Sequence, residues 1–385
     1  MRKFNFRKKS YLAKFIKPKK QITGRSDIFL LTLIFIIAAF GLIMLSSASS
    51  VVSFQQKGYT YYFFWHQVSR GIVPGLILFF ILSKIDYQRW EKYTVGFFVL
   101  SIILLISVFI PGLGASYGKA KSWLNFAGLS IQPTEIFKLL LILSLAGWFS
   151  YRGREKNADF WNGLVPFSVL LGLVSLLIVL EPDLGTLLVI ITIAFAVYFV
   201  AGARFTHILG LMTLGLGAFG ILMTQMPTKV ARLMTFLHPE LDPQGVGYHI
   251  NQALLAIGSG GWFGFGFGQS RQKFAYLPEV MGDSIFAIIA EELGFIFATA
   301  LIILFLLLAW RGFKLAQGIE DDYGRFIVVG IISWFTFQAF LNIGAMVGLL
   351  PLTGIPLPFV SYGGTALAVS LAASGILINI SKTSK

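Results

Sequence analysis

Tyr276-Leu277-Pro278-Glu279-Val280-Met281-Gly282-Asp283 runs directly into Ser284-Ile285-Phe286-Ala287-Ile288-Ile289-Ala290-Glu291-Glu292-Leu293-Gly294-Phe295, so carboxylates stand at the start of a long apolar segment and inside it. At a helical rise of about 1.5 Å per residue, Glu291 and Glu292 lie roughly 12 to 14 Å beyond Asp283. An ionisable group within a membrane span costs on the order of 2.5 to 3.5 kcal/mol on insertion scales, so it marks either a functional site or a buried pair. The residues before it, 226–283, form the one long stretch of the chain that cannot sit in lipid.

Working outward, the class follows from composition. The 385 residues are 56% hydrophobic and 12% charged, with a mean hydropathy of +0.78, values that exclude a soluble globular chain. Apolar stretches long enough for a hydrocarbon core of roughly 30 Å occur near residues 28–48, 68–83, 93–111, 133–150, 161–180, 184–203, 206–225, 284–309, 326–349 and 363–380. The second and fourth are short and interrupted, by Pro74 and by Lys138. The expectation is an all-α polytopic membrane protein of about ten transmembrane helices, with a large external loop between helices 7 and 8. A basic tail over 1–26 precedes a single transmembrane domain over 27–385.

Lysine and arginine set the orientation, because cytoplasmic loops carry their excess. The tail before Asp27 holds ten of the 31 basic residues. With that tail inside, 22 basic residues are cytoplasmic and eight external (Lys57, Arg70, Lys119, Lys121, Lys229, Arg232, Arg271, Lys273), while Lys138 lies within a span. Both termini are then cytoplasmic. A juxtamembrane polybasic tail facing anionic lipid is far commoner than a nucleic-acid arm, so no nucleic-acid partner is expected. The absence of cysteine excludes disulfides and thiolate sites. No G-x-x-x-x-G-K-[ST] motif is present, which disfavours ATP-driven transport.

Four external segments remain for chemistry: 112–132, the Glu181-Pro182-Asp183 turn, the loop 226–283 and the proline-rich stretch 350–362. In the long loop, Arg232-Leu233-Met234-Thr235-Phe236-Leu237 reads as a short interfacial helix and Pro239-Glu240-Leu241-Asp242-Pro243 as a turn. Gly258-Ser259-Gly260-Gly261-Trp262-Phe263-Gly264-Phe265-Gly266-Phe267-Gly268 permits close backbone approach, to a ligand or to a neighbouring helix. Glu135 and Lys138 are three residues apart on one helix face, where they can neutralise each other as a packing pair or wall a cavity. Glu181-Pro182-Asp183-Leu184-Gly185-Thr186 fits a helix start, with proline in the first turn and acids favoured by the dipole. The four histidines lack metal-ligand spacing, and no metal site is expected. Three prolines in Leu350-Pro351-Leu352-Thr353-Gly354-Ile355-Pro356-Leu357-Pro358-Phe359-Val360-Ser361-Tyr362-Gly363-Gly364-Thr365 break any helix there. The Gly363-Gly364 step opens the last span, either as a plain turn or with N–H groups that face outward and receive a phosphate.

These residues carry a family resemblance. Trp123-Leu124-Asn125, Gln132-Pro133-Thr134-Glu135, Glu181-Pro182-Asp183-Leu184-Gly185-Thr186, Tyr276-Leu277-Pro278-Glu279, Asp283 with Phe286-Ala287, Glu291-Glu292-Leu293-Gly294 and Leu357-Pro358-Phe359-Val360-Ser361-Tyr362-Gly363-Gly364 occur in that order. The chain resembles the shape, elongation, division and sporulation (SEDS) family of FtsW, RodA and SpoVE proteins from its first span to its last. The resemblance implies a peptidoglycan glycosyltransferase of the bacterial cytoplasmic membrane. Such an enzyme polymerises lipid II on the outer face, in cell division or elongation, with undecaprenyl pyrophosphate leaving. It implies a class B penicillin-binding protein transpeptidase and other division or elongation complex proteins as partners. Asp283 matches the family's essential acid, and Glu135 and Lys138 its cavity-lining pair. Gly266 to Lys273 resembles the FtsW pattern more than the RodA one. Met281-Gly282 replaces the usual His-Thr, and Thr365-Ala366 the usual paired serines.

The chemistry is reasonable on its own terms. Joining two disaccharides requires a base for a sugar hydroxyl and cationic or N–H stabilisation of a departing pyrophosphate. Asp283 is the candidate base, because it alone is expected both at an external helix mouth and beside the glycine-rich loop. Arg232, Lys273, Glu135, Lys138, Glu291, Ser361, Gly363 and Gly364 are the candidate substrate-binding residues. No cofactor is required outright, and a divalent cation such as Mg2+ is left open. The alternative is a lipid II flippase or other transporter, with the intramembrane charges lining a path.

Overall fold

The computed structural model describes residues 24–111, 114–117, 120–126, 129–224, 230, 234–236 and 245–384. In lipid every backbone N–H and C=O must be satisfied within the protein, so the apolar stretches close on themselves as helices. Among the described residues, nine helices are long and apolar enough to cross a membrane: α1 (Ile28–Ala48), α3 (Tyr62–Lys84), α4 (Tyr87–Ser107), α5 (Pro133–Arg152), α6 (Phe160–Leu180), α8 (Phe205–Thr224), α10 (Ile285–Gly318), α11 (Asp322–Met346) and α12 (Gly364–Ser381). The shorter apolar α7 (Leu184–Val200) makes a tenth. Helices α2 (Ser50–Lys57) and α9 (Val246–Ser259) do not span. The chain is therefore the multi-pass helical protein expected.

Two spans begin earlier than hydropathy suggests. α3 starts at Tyr62 rather than near residue 68, and α4 at Tyr87 rather than near residue 93. In α3 the turn Val68–Ile72 widens to a π-helix just before Pro74, and in α6 Phe160–Leu164 does so before Pro166. Proline donates no N–H and crowds the carbonyl four residues back, and a wider turn relieves both. α5, α11 and α12 are mostly buried at the centre of the bundle, whereas α4 and α8 show most of their surface at its edge.

The segment after α4 departs from an all-helical reading. It folds into an antiparallel meander of β1 (Gly114–Tyr117), β2 (Ala120–Phe126) and β3 (Leu129–Ile131), with Ala115 opposite Trp123 and Leu124 opposite Ile131. Two-residue intervals holding Gly118 and Gly128 separate the strands, a hairpin signal that the apolar count overrides.

α10 holds the main surprise. It extends to Gly318, well past residue 309, and is broken at Gly294, where φ is 78° and ψ −174°. The glycine-rich loop fills the break. Phe265 N–H donates to Glu291 O at 3.0 Å and Gly266 N–H to Glu292 O at 2.9 Å, while Phe295 N–H donates to Gly261 O at 2.8 Å and Ile296 N–H to Trp262 O at 3.3 Å. The helix thus recovers, from the loop, the hydrogen bonds it loses at the kink. A Cβ on Gly264 would lie 2.2 Å from Glu292 O, so only glycine fits. The close approach read from the glycines is therefore made to a helix.

Candidate active site

The turn before α10 is built by its own backbone. Glu279 O accepts N–H bonds from Gly282 at 2.8 Å and Ser284 at 3.2 Å, and Ser284 Oγ donates to Pro278 O at 2.8 Å. Glu279 itself sits at φ 51°, a strained conformation for a non-glycine residue. Asp283 consequently precedes the helix instead of standing on it, and its angular relation to Glu291 is set by this turn. It is partly buried.

Three neighbours pin the turn. Ser361 Oγ donates to Gly282 O at 2.6 Å and accepts Leu357 N–H at 2.8 Å. Tyr362 N–H donates to Met281 O at 2.8 Å. From α11, Asn342 Nδ2 donates to Asp283 O and to Ile355 O, each at 2.8 Å. A Cβ on Gly354 would lie 3.9 Å from Asp283 Oδ2. The carboxylate is therefore beside the proline-rich loop, and the expectation that it lies beside the glycine-rich loop is corrected: that loop is bound to Glu291 and Glu292, deeper along α10.

One turn along α11 from Asn342, Gln338 joins the second candidate pair. Lys138 Nζ is 2.8 Å from Glu135 Oε1 and donates to Gln338 Oε1 at 2.8 Å. The same oxygen accepts Trp334 Nε1–H at 2.7 Å, and Gln338 Nε2 donates to Pro356 O at 2.8 Å. The ammonium also lies 4.7 Å from the centre of the Trp334 ring. Glu135 Oε2 is buried and has no partner among the described residues. Thus α5, α11, the proline-rich loop and the turn before α10 converge, with Gln338 and Asn342 as the joints. Sequence reasoning passed over both amides. The signal was there: Trp334, Gln338 and Asn342 recur every four residues on a span that carries no charge after Arg325.

Other expected site residues are used elsewhere. Glu291 is buried, accepting N–H bonds from Arg271 and Gln272 and the Ser270 hydroxyl. Lys273 is buried too, with Nζ donating to Glu292 Oε1 at 3.0 Å, Ser47 Oγ at 3.1 Å and Gly268 O at 2.6 Å. Both tie down the loop rather than facing outward, because the inserted loop brings its N–H groups and this ammonium onto α10. Gly363 N–H is not presented for a phosphate: it donates to Gln67 Oε1 at 3.0 Å. Gly364 is packed against Arg70, whose Cβ would be 3.2 Å from an added Cβ. Ser361 is a latch between loops. Arg232 lies outside the described residues, as do the expected turn 239–243 and most of the expected interfacial helix.

Asp183 caps α7, accepting Thr186 N–H at 3.0 Å and its hydroxyl at 2.7 Å, as expected for a helix start. Pro182 precedes the cap instead of lying in the first turn. Glu181 is fully buried, with neither carboxylate oxygen partnered among the described residues, and burial, reinforced by the Asp183 charge, pushes its pKa up to about 8.

The family model described as a cell cycle protein, FtsW/RodA/SpoVE, matches residues 27–385. The chain belongs to that family. It is 41% identical to stage V sporulation protein E of Bacillus subtilis over 93% of this chain and 98% of the relative. It is 36% identical to a probable peptidoglycan glycosyltransferase FtsW of Geobacter metallireducens over 94% and 96%. Among solved structures, a chain from work on structural coordination of polymerization and crosslinking by a peptidoglycan synthase complex aligns with a TM-score of 0.77 and 29% identity, covering 92% and 97% of the two chains. The rod shape determining protein RodA of Thermus thermophilus aligns with a TM-score of 0.68 and 27% identity over 92% and 96%. The likeness to FtsW read from the sequence is thus joined by likeness to a sporulation protein.

Proposed function

We infer that this chain is a peptidoglycan glycosyltransferase that polymerises lipid II, and that Asp283 takes the proton from the acceptor sugar. The observation that carries the assignment to Asp283 is how firmly it is set: its own carbonyl and the two residues before it are each hydrogen-bonded to a different partner, Asn342, Ser361 or Tyr362. A base must stand within hydrogen-bond reach of the proton it abstracts, and a backbone fixed on three sides keeps it there.

In the proposed step the acceptor hydroxyl gives its proton to Asp283 as its oxygen bonds to the donor's anomeric carbon. The bond from that carbon to the pyrophosphate breaks, and undecaprenyl pyrophosphate leaves with the electron pair. A single displacement inverts the centre, so an α-linked donor becomes a β-linked product. In this reading Glu135 and Lys138, linked to the Asp283 turn through Gln338, the proline-rich loop and Asn342, supply a polar wall of the substrate site. Among the described residues no three His, Cys, Asp or Glu side chains group as metal ligands. A divalent cation would therefore draw most of its ligands from pyrophosphate and water, as Mg2+ commonly does. The split of basic residues supports both termini in the cytoplasm and the Asp283 turn on the outer face of the bacterial cytoplasmic membrane. A class B transpeptidase is the partner this reading calls for, alongside division, elongation or sporulation proteins.

The test is polymerisation of lipid II by purified protein, alone and with the transpeptidase, with endogenous polymerases excluded. Labelled lipid II in vesicles checks for transbilayer movement, which a flippase would give without polymer. Asp283→Asn keeps size and most hydrogen bonding but removes basicity. It is expected to insert and bind its partner normally while polymerising at least about 100-fold more slowly. Near-wild-type polymerisation by this variant would sink the assignment.

A further inference from the structure

The two amides on α11 are used differently. Gln338 has its oxygen fully used: it accepts from Lys138 and Trp334, and one N–H of its nitrogen donates to Pro356 O. Asn342 is half used. Its Nδ2 donates to Asp283 O and Ile355 O, and turning the amide over would set Oδ1 against those two carbonyl oxygens, so the orientation is fixed. Oδ1 therefore faces away from them. The residue is 1% exposed, and this oxygen has no partner among the described residues.

A buried acceptor is normally paired, and the exceptions need a reason. Of the other buried atoms with no partner among the described residues, Glu135 Oε2, Thr134 Oγ1 and Thr353 Oγ1 belong to the elements that converge here, while Tyr323 Oη and Thr336 Oγ1 lie at other positions on α11. Glu135 is linked through Lys138 and Gln338 to α11, and Thr353 lies two residues before the Ile355 carbonyl that Asn342 holds. Two of the four atoms are acceptors only, and two are hydroxyls. Such a set suits a carbohydrate, which offers several O–H and N–H donors on a rigid ring.

We propose that Asn342 Oδ1 accepts a hydrogen bond from an O–H or N–H of the substrate's sugar, while its Nδ2 holds the backbone of Asp283. Recognition and placement of the base then run through one amide. The proposal rests on the polymerase reading and adds to it a substrate contact on α11. The donor is a ring hydroxyl or the N–H of an N-acetyl group, and both present the same chemistry to the oxygen.

The experiment compares lipid II with two kinds of analogue, one lacking a single sugar hydroxyl and one with an ester in place of an N-acetyl amide, using the purified full chain. With wild-type protein one analogue is expected to show a kcat/KM about tenfold below lipid II, the mark of a site that pairs with that donor. In Asn342→Leu, kcat/KM for lipid II is expected to fall at least about tenfold, and that analogue and lipid II to be used equally within about twofold. A purely structural Asn342 would lower stability and leave the discrimination in place. Should Asn342→Leu not fold, the same ratio is read on Asn342→Ser. The proposal is overturned if wild type discriminates against no analogue, if the discrimination survives the substitution, or if folded Asn342→Leu keeps more than about a third of wild-type kcat/KM. Failure of wild-type protein to polymerise lipid II at all overturns the polymerase reading, and this proposal with it.

Discussion

Lys273 with Glu292 and Lys138 with Glu135 are two buried lysine–glutamate pairs of nearly the same geometry. Their N···O distances are 3.0 and 2.8 Å, and no side chain among the four is more than 4% exposed. They differ in what surrounds the carboxylate. Glu292 accepts the Ser47 hydroxyl on both oxygens, Gly268 N–H at 3.0 Å and Ser270 N–H at 3.3 Å, besides Lys273. Glu135 keeps one oxygen without a partner among the described residues. Charge burial alone does not separate a lock from a site, because the penalty for taking the ions out of water is the same in both. Saturation does: a full set of partners ties α1, the inserted loop and α10 together, and an incomplete set leaves chemistry for something else to complete.

The largest effect should come from breaking the saturated pair. Glu292→Ala strands Lys273 and removes the acceptor for two loop N–H groups, so it is expected to destabilise by about 3–5 kcal/mol, read as denaturant-induced unfolding in detergent. A loss below about 1 kcal/mol would place this pair with ordinary surface bridges and remove the distinction. Next comes Glu135→Gln combined with Lys138→Met. Replacing a buried pair costs less than breaking it, so the double variant is expected to recover much of the stability lost in either single change. It should nevertheless fail to polymerise lipid II. Full activity in the folded double variant would show that this pair, too, is only structural.

Glu181 sharpens the contrast at its weak end, as a buried carboxylate with neither oxygen partnered among the described residues. Its pKa is raised from 4.5 to about 8, so between those values the folded state holds a proton that the unfolded state has lost. Stability is then full below about pH 4.5 and falls as pH rises toward 8, by at most about 1.4 kcal/mol per unit. Unfolding midpoints measured from pH 5 to 8 should show this slope, and Glu181→Gln should flatten it. An unchanged slope in the variant would mean the carboxyl finds a partner in solution.

The spans and the large loop could be read from the sequence because hydrocarbon imposes one long-range rule on every crossing segment. Asp283 stood out as a candidate because it lies in a motif where a long polar loop meets an apolar span; an acid at a helix start is in itself ordinary, as the caps Asp27, Asp183 and Asp321 show. Lys273 was misjudged because the side chain of a loop residue looks external until the loop is seen to fold back onto α10, where its N–H groups also occupy Glu291. Asn342 and Gln338 were missed because an amide carries no charge and so leaves little mark on a hydropathy trace. The meander over 114–131 was hidden for another reason: strands this short bury too little apolar surface to register beside twenty-residue spans.

The repaired break in α10 also bears on how the protein is made. Residues 261–266, which close the helix at Gly294, precede that glycine in the chain by about thirty positions and leave the ribosome first. The exposed carbonyls of Glu291 and Glu292 and the N–H groups of Phe295 and Ile296 are therefore never synthesised ahead of their partners. Translation delivers the patch before the gap it covers.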